Sequence, residues 1–149
     1  MSSHATESNG LWKIPLGLSH HGFDHVLMKR RFDGLPNWSV VIVDAKKLLH
    51  FHNNDRGFVI RPISEWSQGK ADGIRQFLYP SAAVEMPIAS ISIRRTRRFW
   101  GAIKDKETPV VSFINGRHRS RYLYEAGADH FPVEVENHLV EQMRQYCGA

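Results

Sequence analysis

Between Ser112 and Val135 the chain reads SFINGRHRSRYLYEAGADHFPVEV, and no other stretch constrains the fold as strongly. An apolar run, Val110–Ile114, is introduced by Pro109 and delivers the chain into Asn115-Gly116, where a helical pattern starts at once. The spacing predicts a helix over about 117–126. Gly127 stops it, being the residue type suited to a left-handed position just past a helix end. Phe131–Val135 predicts the next strand. The alternation of strand and helix points to a compact mixed α/β (α+β) domain.

The rest of the chain supplies further elements. Trp38–Asp44 (WSVVIVD) reads as a buried strand, and Asp44 can cap a short helix over Ala45–His50. Phe58–Arg61 reads as another strand, closed by Pro62. Ser64 can cap a weak helical stretch, and a better helix runs from about Ala71 to Tyr79, ended by Pro80. Ile88–Ile93 (IASISI) alternates with period two, as a half-buried strand does. Asn137 can cap a final helix whose Leu139, Val140, Met143, Tyr146 and Cys147 form a core-facing stripe. With 149 residues the expectation is one domain over 11–149, after a disordered polar lead-in at 1–10. A 42 % hydrophobic and 23 % charged composition excludes wholesale disorder. The single cysteine excludes an internal disulfide and a multi-cysteine zinc site. No apolar run approaches membrane-spanning length and no signal peptide is visible, so a cytoplasmic protein without membrane insertion is expected.

Charge is concentrated. Nine basic and two acidic residues fall between Arg94 and Arg121, while the whole chain carries +5. The remainder is therefore mildly acidic, which suggests a local anion site rather than a generally adhesive surface. The helix beginning after Gly116 offers unpaired N–H groups and the positive end of a dipole. Gly116 has no side chain to hold an anion away, and Arg117, His118, Arg119 and Arg121 surround the same end. So much positive charge in a first helical turn opposes the dipole unless an anion sits there, and a phosphate resolves that conflict. Arg121 and Glu125 are four apart, the spacing of an exposed ion pair of little value. Arg94, Arg95, Arg97 and Arg98 are candidates to extend the positive surface along a polyphosphate or DNA backbone, and Trp100 could stack on a base. Spacing leaves open whether they share a side with Gly116.

The pattern Asn115-Gly116-Arg117-His118-Arg119, then Arg121, Glu125-Ala126-Gly127-Ala128 and Pro132-Val133, resembles the signature of the ParB/sulfiredoxin superfamily. There a strand leads into a Gly-x-(His/Arg)-Arg turn at a helix start that holds nucleotide phosphates. NGRHRSRYLYEAGADHFPVEV in particular is similar to the form found in plasmid fertility inhibition factors. A looser likeness, from Val40 to Leu139, rests on element order and on the phrases FLYP and EMPIASISI. The resemblance implies a ParB/sulfiredoxin-like domain with a small mixed sheet and flanking helices. It implies a block on conjugative DNA transfer at a type IV secretion machinery or its coupling protein, with nucleoside triphosphatase or DNase activity. ATP or another nucleoside triphosphate with Mg2+ is the implied cofactor. In that reading Asn115, Gly116 and the following amides cradle phosphate, Arg117 and Arg119 stabilise its charge, and His118 moves a proton.

Departures from the family patterns narrow the chemistry. Sulfiredoxins place a catalytic cysteine directly after the motif glycine, where this chain has Arg117, so sulfinic-acid reduction is not expected. Cys147 suits a small buried apolar role. Partition ParB proteins add a helix-turn-helix and a dimerisation domain, for which this length leaves no room. A second reading is a non-catalytic inhibitor or immunity-like module that docks on a protein and keeps the phosphate site as a structural or regulatory feature. A nucleotide-dependent kinase ranks last, lacking an acceptor-activating carboxylate motif. The histidines cluster at His20, His21 and His25 and at His50 and His52, without the carboxylates or cysteines that complete a zinc set. Asp44, Glu85 and Asp105 are unranked candidates for a divalent ion bound with phosphate.

Overall fold

In the computed structural model, which describes residues 4–96 and 106–149, strands and helices alternate along the chain. They are β1 (Thr6–Ser8), β2 (Leu11–Pro15), β3 (His25–Lys29), β4 (Trp38–Asp44), α1 (Ala45–His52), α2 (Gln68–Phe77), β5 (Val84–Glu85), β6 (Ile88–Thr96), β7 (Lys106–Asn115), α3 (Arg117–Glu125), β8 (His130–Glu136) and α4 (Val140–Cys147). Single 3-10 turns occupy Ile63–Glu65 and Asn137–Leu139. The strands form two mixed sheets, in the orders β1-β2-β3-β5 and β4-β8-β6-β7. In the first, β3 and β5 pair in parallel; in the second, β8 runs antiparallel to β4 and parallel to β6. The mixed α/β class is as expected, but two sheets stand where one was predicted.

Both sheets feed one core. Ile14, Val26 and Met28 of the first sheet join Phe131, Val133 and Val135 of the second, with Leu48, Leu123 and Met143 from the helices. Strand β8 lies between β4 and β6, and every residue from Phe131 to Val135 is buried. That explains its nearly unbroken apolar sequence, since both faces of such a strand are covered. Glu134 is the polar exception. Its carboxylate is fully buried, accepts the Phe32 N–H at 3.1 Å, and lies 3.6 Å from the Arg30 guanidinium. Cys147 is buried in the same core, and desolvation pushes its thiol up to about 12, consistent with an unreactive apolar role.

Local signals set most boundaries. Asp44 caps α1 by accepting the Lys47 N–H at 2.8 Å. Gly127, with φ 88°, ends α3 and accompanies an Ala128 N–H bond to the Leu123 carbonyl at 2.9 Å. A Cβ on Gly127 would lie 2.7 Å from the Gly17 Cα, so the end of α3 is in backbone contact with the loop after β2. The Gly17 N–H donates to the Ala126 carbonyl at 2.8 Å across the same junction.

Several boundaries differ from expectation. Within the stretch 1–10 expected to be disordered, Thr6–Ser8 pair with Leu11–Lys13 as a hairpin. Helix α2 begins at Gln68 and is capped by Ser67, whereas Ser64 sits in a 3-10 turn. Asn137 does not cap α4, because its side chain is used elsewhere: it donates to the Pro36 carbonyl at 2.6 Å and accepts from the Ser39 hydroxyl. Phe58–Arg61 forms no strand. The nearest sheet edge is already occupied, since the Pro109 carbonyl of β7 accepts from Asn54 Nδ2 and the Val111 carbonyl lies against His52 Nδ1, each at 2.8 Å. The second ring nitrogen of His52 lies 2.9 Å from the Phe58 carbonyl. Buried His52 thus joins α1, β7 and the loop leading to residue 58.

Candidate functional site

Strand β7 ends at Asn115, and Gly116 turns the chain into α3 with φ 88° and ψ 19°. The left-handed conformation and a crowded backbone both require glycine there. An added Cβ would stand 2.8 Å from both Cα and Cβ of Pro87. The Gly116 carbonyl accepts the Ser120 N–H at 3.0 Å and the Ser120 hydroxyl at 2.9 Å, anchoring the first turn. No side chain caps this helix, and its first turn contains no acidic residue. Its leading amides therefore keep the hydrogen-bonding capacity and positive dipole end that suit an anion.

These residues line a cleft of about 580 Å3. Asn115, Gly116, Arg117, His118 and Arg119 form one wall; His52, Asp55 and Phe58 come from the end of α1 and the loop beyond it. Five of the six positions expected to hold phosphate are thus brought to one place. Their side chains are engaged differently. The Arg117 guanidinium lies 5.7 Å from the Phe58 ring centroid. Half-buried His118 meets Trp66 edge-on at 5.3 Å. Desolvation, reinforced by Lys70 and Arg117, holds the His118 imidazole below its ordinary value of 6.5. Arg119 is buried; its Nη1 donates to the Glu85 carbonyl and its guanidinium lies 5.6 Å from the Phe77 ring centroid. Burial lowers its pKa from the usual arginine value. It braces α3 against β5 as well as lining the cleft.

The other cationic candidates are arranged differently. Arg121 does not line this cleft; its Nε donates to Glu125 Oε2 at 2.7 Å, and the same oxygen accepts the Ile63 N–H at 3.0 Å. Glu125 therefore ties α3 to the 3-10 turn instead of forming only a solvated pair. Arg94 is half-buried and donates from Nη1 to the Asn54 carbonyl at 3.1 Å, next to Asp55 but outside the cleft lining. Exposed Arg95 pairs with Glu107 at 3.3 Å. Arg97, Arg98 and Trp100 lie outside the described residues.

Asp55 and Phe58 are the contributors that sequence reasoning missed. Asp55 Oδ2 accepts the Ser112 hydroxyl at 3.0 Å, which places a carboxylate in the same cleft as the cationic helix start. Of the proposed metal candidates, Asp44 and Glu85 do not line it. Asp44 caps α1, the Glu85 carboxylate lies 3.9 Å from Arg31, and Asp105 is outside the described residues. Among the described residues no three His, Cys, Asp or Glu side chains gather to hold a metal ion. His20 contacts the Tyr122 hydroxyl at 2.8 Å and His25 contacts Asp24 at 2.6 Å. Among the described residues no helix is long and apolar enough to cross a membrane.

Comparison with known proteins gives two findings. The family model for plasmid fertility inhibition factors matches residues 40–148. Among solved structures, the chain is similar to the crystal structure of Oncogenic Suppression Activity Protein, a plasmid fertility inhibition factor, as its gold(I) cyanide derivative. The TM-score is 0.66 at 13 % identity, over 98 % of this chain and 74 % of that one. At that identity the likeness is one of fold. No curated protein matches the chain.

Proposed function

The chain belongs to the plasmid fertility inhibition factor family, and from that premise we propose that it blocks conjugative DNA transfer by acting on phosphate at the start of α3. The observation that carries the reading is the uncapped, acid-free first turn after Gly116, opening into a cleft with Arg117, His118 and Arg119. The ParB/sulfiredoxin-like signature of Asn115–Arg119 supports the same ligand. The target is a type IV secretion machinery or its coupling protein, and the phosphate belongs to a nucleoside triphosphate or a DNA backbone.

In the mechanism, the leading amides of α3 hold a phosphoryl group and Arg117 offsets charge as it develops on the phosphate oxygens. His118, whose desolvated imidazole favours the neutral form at neutral pH, accepts the proton of the attacking water as its oxygen bonds to phosphorus and the nucleoside diphosphate or DNA-strand oxygen leaves with the electron pair of the broken P–O bond. Arg119 fixes the position of α3 through the Glu85 carbonyl. A divalent ion accompanying the phosphates would be held by the Asp55 carboxylate, since magnesium takes one or two carboxylates and fills its shell with phosphate and water. Such an ion supplies charge neutralisation between phosphate oxygens.

Calorimetric titration with ATP, CTP and GTP, with and without Mg2+, tests this reading alongside a phosphate-release assay and a plasmid-transfer assay. Wild-type protein is expected to bind and hydrolyse nucleotide, and Arg117→Ala to lose at least ten-fold in affinity, roughly one charge-assisted contact. No binding by the wild type would overturn the phosphate site. Undiminished transfer inhibition by a variant that no longer binds would make the site dispensable and favour a protein-docking inhibitor.

A further inference from the structure

The cleft has two chemically different parts. One is the polar helix start already described; the other is apolar and open. Phe58 is 58 % exposed and Ile114 is 62 % exposed, yet both line the same cleft as Gly116 and Arg117. Ile74 of α2 adds a third apolar side chain to the lining. A bare phosphate or a sugar-phosphate backbone makes no use of such surface. An aromatic ring left more than half in water next to an anion site instead offers a stacking face.

Three features hold that face in place. The carbonyl of Phe58 lies 2.9 Å from Nε2 of buried His52, and its N–H donates to the Asp55 carbonyl at 3.0 Å. The backbone carrying the ring is therefore pinned at both ends. Arg117 lies 5.7 Å from the ring centroid, so the cation facing the phosphate is also in contact with the aromatic side. A ligand that places negative charge near Arg117 brings its attached group towards Phe58.

We propose that Phe58 is the platform on which the base of a bound nucleoside triphosphate stacks, with Ile114 as the second apolar contact. This rests on the phosphate site proposed above and adds to it the residue that distinguishes a nucleotide from a bare polyphosphate. Stacking on an aromatic face tolerates any base, so ATP, CTP and GTP share this contact.

The test is a titration of the 149-residue chain with ATP, CTP, GTP and inorganic tripolyphosphate, in the wild type, Phe58→Ala and Phe58→Trp. The wild type should bind each nucleotide more tightly than tripolyphosphate. Phe58→Ala should lose about ten-fold in affinity for all three nucleotides, in line with one stacked base. Its tripolyphosphate affinity should not change, which also checks that Arg117 has kept its place. Phe58→Trp should retain nucleotide binding. Because the Phe58 side chain is largely exposed, the variants should unfold at the wild-type temperature. Equal loss for nucleotides and tripolyphosphate, or no loss for either, would overturn the platform while leaving the phosphate site intact. Failure of the wild type to bind both classes would overturn the phosphate site and the platform together.

Discussion

His118 concentrates the chemistry of the site in one titration. Desolvation, Lys70 and Arg117 all disfavour its charged form, so the free protein carries a neutral imidazole above its lowered pKa. An anion at the start of α3 favours the imidazolium instead, and binding must then take up a proton. Phosphate affinity is therefore expected to rise as pH falls through the acidic range towards the lowered pKa of the free protein. The rise should be smaller in His118→Gln, with the difference between the two proteins cancelling the titration of the ligand itself. Calorimetry in buffers of different ionisation enthalpy measures the proton directly; identical pH profiles for wild type and variant would remove His118 from the site. The placing of Gly116 and the three residues after it at a basic helix start could be read from residue type alone. Asp55 and Phe58 could not. They lie in a sequence, NNDRGF, that carries only turn signals, and their relation to the cleft depends on the path of a loop.

At the scale of elements, β7 is an edge strand whose carbonyls are met by the end of α1 and the turn just after it. His52 and Asn54 reach Val111 and Pro109, and His52 also reaches the Phe58 carbonyl. His52→Leu would leave the buried Val111 carbonyl and the part-buried Phe58 carbonyl without that contact, a cost of about 2 kcal/mol if the buried one retains an ordinary desolvation penalty. Urea unfolding would measure it, and hydrogen exchange should show the added opening concentrated in β7 and the residues after α1. A loss below about 1 kcal/mol would mean that water replaces the histidine. The long strands β4, β6, β7 and β8 were legible because their apolar runs are strongly patterned. Strands β1 to β3 were not: they are three to five residues long, with no buried residue in β1, one in β2 and two in β3. Residues 58–61 carried a strand-like composition, but the adjacent edge was already taken, so tertiary competition overrode local propensity.

On the scale of the molecule, the matched family region starts at residue 40, whereas the core does not. Ile14, Val26 and Met28 come from before it and are fully buried against the second sheet's side chains. Removing residues 1–35 is therefore expected to abolish cooperative unfolding and leave a compact, dye-binding state without near-ultraviolet circular dichroism. Retention of a sharp thermal transition would show that the second sheet and the helices form a sufficient core alone. The mixed α/β class was predictable from alternating elements, but division into two sheets depends on pairings between segments far apart in sequence, which periodicity does not encode.

The contact between Gly17 and Gly127 has a consequence for how this chain can change over generations. Each backbone occupies the space that a side chain on the other would need, with a Cβ on Gly127 reaching 2.7 Å from the Gly17 Cα and one on Gly17 reaching 3.2 Å from the Gly127 Cα. Substitution at either position cannot be rescued by a smaller neighbour, because no smaller residue exists. Drift that is open to Gly57, Gly69 and Gly73, where an added methyl would meet nothing within 4 Å, is closed at Gly127 and narrowed at Gly17, where the facing backbone would have to give way by a few tenths of an ångström. The end of the phosphate-site helix and the loop from the first sheet are bound to one another's ancestry.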